Sequence, residues 1–301
     1  MTVVAHSYDL DAAPDWFTRA TAVEPELGSV DVDGAQISYR LWGQPGGNPV
    51  ILIHGGAANG RWWDHVAPLL SDGRRVAALD LSGHGHSDHR SSYSRRLWAD
   101  EVMAVAEVVG PRPIVVGHSL GGFVALETAG RYGSQLAGTV VVDSPARTVR
   151  PVFDAERERR MRRKLRVYES EDAIVARFRP DPEDTPLPTY LRNYLGSRSI
   201  RANAGGFTWQ FDPTISMAGG MIVDEVVPPS CPLALFRGER GMLSRGMSRA
   251  LADEIGPDTI ELEIPDSGHH IMLEQPLALV AALETLLQTW TPRPVQPSRS
   301  L

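Results

Sequence analysis

The chain has 301 residues, 42% of them hydrophobic, and a formal net charge of −7 at pH 7, which gives room for one large core, or a core with an inserted subdomain, and argues against a nucleic-acid partner. No apolar stretch is long and pure enough to span a bilayer, and the start Met1-Thr-Val-Val-Ala-His lacks the basic-then-apolar pattern of a secretory signal. Cys231 is the only cysteine, which excludes an intrachain disulfide and fits a cytoplasmic protein with no membrane association.

In chain order, strand-like runs fall at 36–42, 49–54, 75–81, 113–117 and 136–143, then at 232–238 and 259–264. Several are nearly continuous apolar runs, the pattern of strands buried on both faces of a parallel sheet. Helical patterns alternate with them at 61–70, 97–109, 120–132, 247–255 and 277–290. The alternation predicts an α/β fold, a mostly parallel central sheet flanked by helices. Between Asp143 and Pro232 the rhythm breaks. Residues 147–225 hold a charged helical run (156–166), then Pro-rich and aromatic segments with no clear strand. They are expected to form a mainly helical insertion over the strand ends, the core being 1–146 and 226–301. The basic run is read as a solvated helix face. The Pro/Ser-rich tail, 291–301, is expected to be disordered.

Gly117-His118-Ser119-Leu120-Gly121 follows an apolar strand and opens a helix. Glycines let the backbone reverse tightly there, leaving the Ser119 hydroxyl exposed beside the partly positive helix start. A serine hydroxyl is too weakly acidic to attack unaided and needs a histidine base. Gly268-His269-His270 follows the last strand, at the strand end where ligand sites of open α/β sheets collect, so either histidine is a candidate. His54-Gly55-Gly56-Ala57 closes an earlier strand, and in a serine hydrolase such a loop supplies a backbone N–H to an oxyanion hole. Gly56 is the first choice of donor and Ala57 the second, paired with the N–H of Leu120.

Four segments in order, Ile53-His-Gly-Gly56, Asp80-Leu-Ser-Gly-His-Gly-His-Ser-Asp88, Gly117-His-Ser-Leu-Gly-Gly122 and Gly268-His-His-Ile-Met-Leu-Glu-Gln-Pro276, resemble the landmarks of the α/β-hydrolase fold family. The resemblance covers nearly the whole chain outside the insertion. It implies that His269, five residues before Glu274, is the base, and that 147–225 is a cap domain. One landmark departs. The family's acid is expected in a G-x-x-D pattern, whereas this chain reads Gly238-Glu239-Arg240-Gly241. Asp143, at the end of the preceding strand, is the alternative that some members of the family use. Glu239 could take the role, or the site could lack an acid. Asp143-Ser-Pro is equally good turn chemistry.

His84, His86, Asp88 and His89 spell H-x-H-x-D-H, which resembles the zinc motif of metallo-β-lactamase-like hydrolases. The α/β-hydrolase landmark accounts for most of it, leaving His86 and His89 unexplained, so no metal is expected. Trp62, Trp63, Phe207, Trp209 and Phe211 could line an apolar pocket or pack the insertion on the core. The expected function is a serine hydrolase of the esterase or lactonase kind, working through an acyl-enzyme on Ser119 without a cofactor. The expected partner is a small-molecule acyl substrate. A ligand-binding protein, or a non-hydrolytic isomerase or cyclase with the same shell, is the alternative, and a zinc hydrolase the remote one.

Overall fold

Successive residues of the apolar strands point to opposite faces, and in the computed structural model, which describes residues 13–145, 165–217 and 227–291, each face meets its own hydrophobic layer. Val50, Leu52, Val76, Ala78, Val116, Val140 and Val142 face one layer, with Phe17 and with Leu279, Leu283 and Leu287 of helix Pro276–Trp290. Ile51, Ile53, Ala77, Leu79 and Val115 face the other. There helix Arg95–Val109 presents Trp98, Val102, Val105, Ala106 and Val109 at helical spacing, beside Leu120, Val124 and Ala125.

The strands are β1 (Glu26–Val32), β2 (Ala35–Trp42), β3 (Asn48–Ile53), β4 (Arg74–Leu79), β5 (Ile114–His118), β6 (Gly138–Val142), β9 (Leu233–Gly238) and β10 (Ile260–Ile264). They form one sheet in the order β1-β2-β4-β3-β5-β6-β9-β10. From β4 onward the pairs are parallel; β1 and β2 add antiparallel neighbours at one edge. The fold is therefore an α/β hydrolase fold with a mostly parallel sheet flanked by helices. Strand β1 has no counterpart among the expected strands, because it is an edge strand exposed or half-exposed along its length and carries no apolar run.

The helix expected at 61–70 is instead a 3-10 turn, Gly60–Trp63, and a short helix, Ala67–Leu70. Pro68 has no N–H to give the carbonyl of residue 64, so a continuous helix breaks there. The buried side chains of Asp64 and His65 are meanwhile bound to Arg40 and to the carbonyl of Met272.

Residues 165–217 contain helices Glu171–Val175 and Thr189–Ser197, but also a hairpin, β7 (Ile200–Asn203) with β8 (Gly206–Trp209). The expectation of no strand is corrected. Gly205, at φ +85°, turns the chain between them, and Phe207 and Trp209 pack on Ile174 and Val175. This segment sits on the loop that follows β4, where Gly85 N–H donates to Gln210 O at 2.8 Å and Asp212 N–H to Gly83 O at 2.7 Å, and on the loop after β3, where the Asn59 amide donates to the Ser199 hydroxyl at 3.3 Å. The basic run lies outside the described residues except at its end, where the Arg166 guanidinium stands 5.1 Å from the Tyr168 ring. The tail from 292 onward is likewise outside them.

Arg74, fully buried on β4, meets Glu284 of the last helix in a two-point contact of 2.6 and 3.1 Å. Removing one member of a buried pair strands the other charge. Glu284→Ala is expected to cost about 3 kcal/mol of unfolding free energy, read from urea denaturation.

Candidate active site

Strand β5 ends at His118, and Ser119 turns the chain into helix Leu120–Tyr132 at φ 53°, ψ −116°. This is a left-handed conformation that costs a non-glycine residue energy and persists only when its surroundings hold it. They do. Ser119 N–H donates to Val142 O at 3.0 Å, and Ser119 O accepts the Ser144 hydroxyl at 2.8 Å. A Cβ at Gly117 would stand 2.0 Å from Gly121 O, and one at Gly121 would stand 2.6 Å from the carbonyl of His54. Both glycines are therefore required by close backbone approach.

His269 lies in the loop after β10, with Nε2 3.0 Å from Ser119 Oγ and Nδ1 2.7 Å from Asp143 Oδ2. Because a carboxylate only accepts, Nδ1 carries the proton toward Asp143 and Nε2 is free to accept from Ser119. Asp143 follows β6 at φ 44° and is fully buried. Its carboxylate also receives N–H groups from Gly238 at 3.1 Å, Met242 at 2.7 Å and Leu243 at 3.4 Å. A Cβ at Gly241 would fall 2.1 Å from Asp143 Oδ1. The position where the family pattern expects an acid is thus bare because the Asp143 carboxylate fills that space. Glu239 points elsewhere, accepting the N–H of Asp266 at 2.8 Å on the surface.

Gly56 lies against Leu120, a Cβ on it being 3.9 Å from the Leu120 side chain. Gly56 and Ala57 are exposed, and among the described residues neither their N–H groups nor that of Leu120 are hydrogen-bonded. His54 fixes this loop: its Nε2 accepts from Leu81 N–H at 3.1 Å, so its Nδ1–H donates to Gly55 O at 2.7 Å. His118 donates Nε2–H to His269 O at 2.9 Å. Burial holds its pKa well below the usual histidine value, with His269 and His270 adding to the effect. His270 is packed against Trp62, ring centroids 5.4 Å apart, and is not hydrogen-bonded to Ser119.

The remaining candidates are scattered. Trp63 has no exposed surface and belongs to the core rather than to a pocket, which corrects that expectation. Trp62 and Trp209 flank Phe178 at 6.0 Å each, while Phe207 packs within the insertion and Phe211 bridges to His84. His84 is buried against His54 and Trp98, the His86 N–H donates to Asp80 Oδ2 at 2.8 Å, Asp88 accepts the N–H of Gln36, and His89 faces Asp212 and Arg201. These four do not converge. Among the described residues the group able to hold a metal ion is His118, His269 and His270, with ring nitrogens within 4.8 Å of one another.

The model of the alpha/beta hydrolase family matches residues 50–283. The chain belongs to that family. Among curated relatives of this hydrolase, the esterase Rv0045c of Mycobacterium tuberculosis is 29% identical, over 86% of the chain and 88% of the relative. E-2-(acetamidomethylene)succinate hydrolase superposes with a TM-score of 0.74 at 20% identity, covering 88% of this chain and 100% of that one. A thioesterase domain from the curacin biosynthetic pathway gives 0.72 at 23%, covering 88% and 99%. At such identities the structural likeness is one of fold.

Sequence reasoning overlooked Ser144, whose hydroxyl braces the Ser119 carbonyl, and Asp184, which accepts the N–H of His269 at 2.8 Å. Ser144 stands beside Asp143 and was legible only as turn chemistry; Asp184 left no signal, because it meets His269 from 85 residues away.

Burial lowers the pKa of His54, His84 and His118, of His65 to about 4 and of His270 to about 3. Unfolded, these rings take up protons near pH 6.5; folded, they stay neutral to much lower pH. Stability is therefore complete above pH 6.5 and is lost as pH falls from there toward 4. His270→Phe removes one such ring. Urea titrations between pH 7 and 5 should show the fall flattened, relative to wild type, by about 1.4 kcal/mol per pH unit below pH 6.

Proposed function

We propose that this hydrolase cleaves carboxylic esters or lactones through an acyl-enzyme on Ser119. The observation that carries the reading is the continuous hydrogen-bonded line from Ser119 Oγ to His269 Nε2 (3.0 Å) and from His269 Nδ1 to Asp143 Oδ2 (2.7 Å). In this reading Ser119 Oγ attacks the carbonyl carbon as its proton passes to His269 Nε2. Asp143 holds Nδ1–H and stabilises the imidazolium that forms. The carbonyl oxygen, now an oxyanion, lies against the N–H groups of Leu120 and Gly56, with the helix from Leu120 adding its positive end. His269 returns the proton to the departing alkoxide, which leaves as the alcohol. Water then attacks the acyl-enzyme with His269 again as base, and the acid departs.

The name of the Mycobacterium tuberculosis relative supports the ester class. Residues 147–225 act as the cap, and Trp62 with Trp209 and Phe207 supplies apolar surface for the acyl or alcohol portion. The partner is a small acyl substrate, and the chemistry needs no cofactor. The Asp143 carboxylate, seated in the space a side chain at residue 241 would take, supports turnover over binding alone.

Intact mass after treatment with a fluorophosphonate tests the reading. Wild type is expected to gain one phosphonyl group and Ser119→Ala none. Asp143→Asn should label and turn over p-nitrophenyl esters slower by a factor on the order of 10⁴, since an amide N–H facing Nδ1 leaves the imidazole proton on Nε2, where it cannot take the proton of Ser119. Wild type left unlabelled would overturn the proposal.

A further inference from the structure

Gly268 and His269 offer two successive backbone N–H groups, and each ends on a carboxylate. Gly268 N–H donates to Glu274 Oε2 at 2.9 Å, a contact within the core. His269 N–H donates to Asp184 Oδ2 at 2.8 Å, and Asp184 belongs to the inserted segment. The neighbouring Thr185 hydroxyl donates to the same Glu274 Oε2, also at 2.8 Å. The three hydrogen bonds close a ring, 184–185 to 274 to 268–269, that ties the insertion to the loop holding the histidine. The fit is tight. A Cβ on Gly268 would stand 2.5 Å from Asp184 Cβ and 2.6 Å from its Oδ2.

No other contact of the insertion grips the main chain of a residue in the Ser119–His269–Asp143 line directly among the described hydrogen bonds. Elsewhere it rests on the loops after β3 and β4, through Gln210, Asp212, Tyr194 and Asn59. A backbone shift at residue 269 pulls the ring against its hold on Asp143, because only the two side-chain torsions are left to absorb it. A displacement of about 1 Å at such a group can cost ~100-fold in rate.

We propose that Asp184 is a positioning residue: its carboxylate seats the backbone of His269, so that the histidine reaches working geometry only when the insertion is docked. The inference deepens the serine-hydrolase reading and rests on it for its kinetic consequence.

The test compares Asp184→Ala, Asp184→Asn and, as a control on the same segment, Glu183→Ala, whose carboxylate faces Arg179 at 3.7 Å on the surface. Asp184→Ala is expected to lower kcat for a p-nitrophenyl ester by about 10- to 100-fold with KM little changed, and to slow fluorophosphonate labelling by the same factor. Asp184→Asn keeps an acceptor oxygen and should recover most of that rate. Glu183→Ala should match wild type. An activity-independent arm follows the His269 Nδ1 proton by NMR of ¹⁵N-histidine-labelled protein. Its low-field resonance should persist in wild type and Asp184→Asn and exchange with water in Asp184→Ala.

Asp184→Ala indistinguishable from wild type in kcat and resonance would overturn the proposal. So would an equal loss in Glu183→Ala, which would mean that the insertion is merely destabilised. Should wild type prove inactive, the esterase reading fails while the NMR comparison still decides the role of Asp184. Should Asp184→Ala not fold, Asp184→Ser, whose shorter side chain cannot hold the His269 N–H in the same way, is read by the same kcat and resonance, with loss expected and wild-type behaviour overturning the proposal.

Discussion

A carboxylate with no exposed surface must be surrounded by donors, and around Asp143 the chain supplies four: the N–H groups of Gly238, Met242 and Leu243 and the imidazole of His269. An unpaired charge there would cost several kcal/mol. That requirement organises the C-terminal half of the sheet. Strand β9 must lie beside β6 so that Gly238 reaches the carboxylate, and the loop after it must carry Gly241, because any side chain would occupy the carboxylate's place. The loop after β10 must then bring His269 over the end of β6. Three segments from three strands are fixed by one buried charge.

The Ser119 side of the site is built on the opposite economy, strain held in place by packing. A positive φ at a serine survives because the Ser119 carbonyl and N–H are both bonded and because Gly117 and Gly121 let neighbouring backbones approach closer than any Cβ allows. Around it the buried histidines are kept neutral by desolvation, His118 and His54 each holding a loop through one tautomer. Neutral rings serve this purpose better than charged ones. A cation at His118 would repel the imidazolium that the proposed mechanism forms on His269.

Much of this was legible in the chain itself. The apolar runs located the central strands because parallel strands buried on both faces have no polar phase, and the glycines around Ser119 marked the sharp turn because only close backbone approach demands them together. The edge strand β1 was not legible, since only Val30 and Val32 reach the core from it and two half-buried residues make too short an alternation to stand out from a loop. The short hairpin at 200–209 escaped because its stability comes from Ile174 and Val175 rather than from its own few residues. The helix expected at 61–70 failed for a local reason, Pro68, and a distant one, the pull of Arg40 and Met272 on buried side chains.

The sequence by itself determined the chemistry on offer: a serine on a strand-to-helix turn, a histidine after the last strand, a glycine loop, and a sheet to carry them. These are readable because they are local, each set by a handful of neighbouring residues and the backbone geometry they permit. Only the tertiary structure decided which carboxylate meets His269, that Trp63 is core, that the H-x-H-x-D-H run does not converge, and that Asp184 reaches the histidine from the insertion. The two contacts of His269 join residues 85 and 126 positions apart, and a contact of that kind is fixed by how layers pack and which buried groups find partners, which no stretch of sequence carries alone.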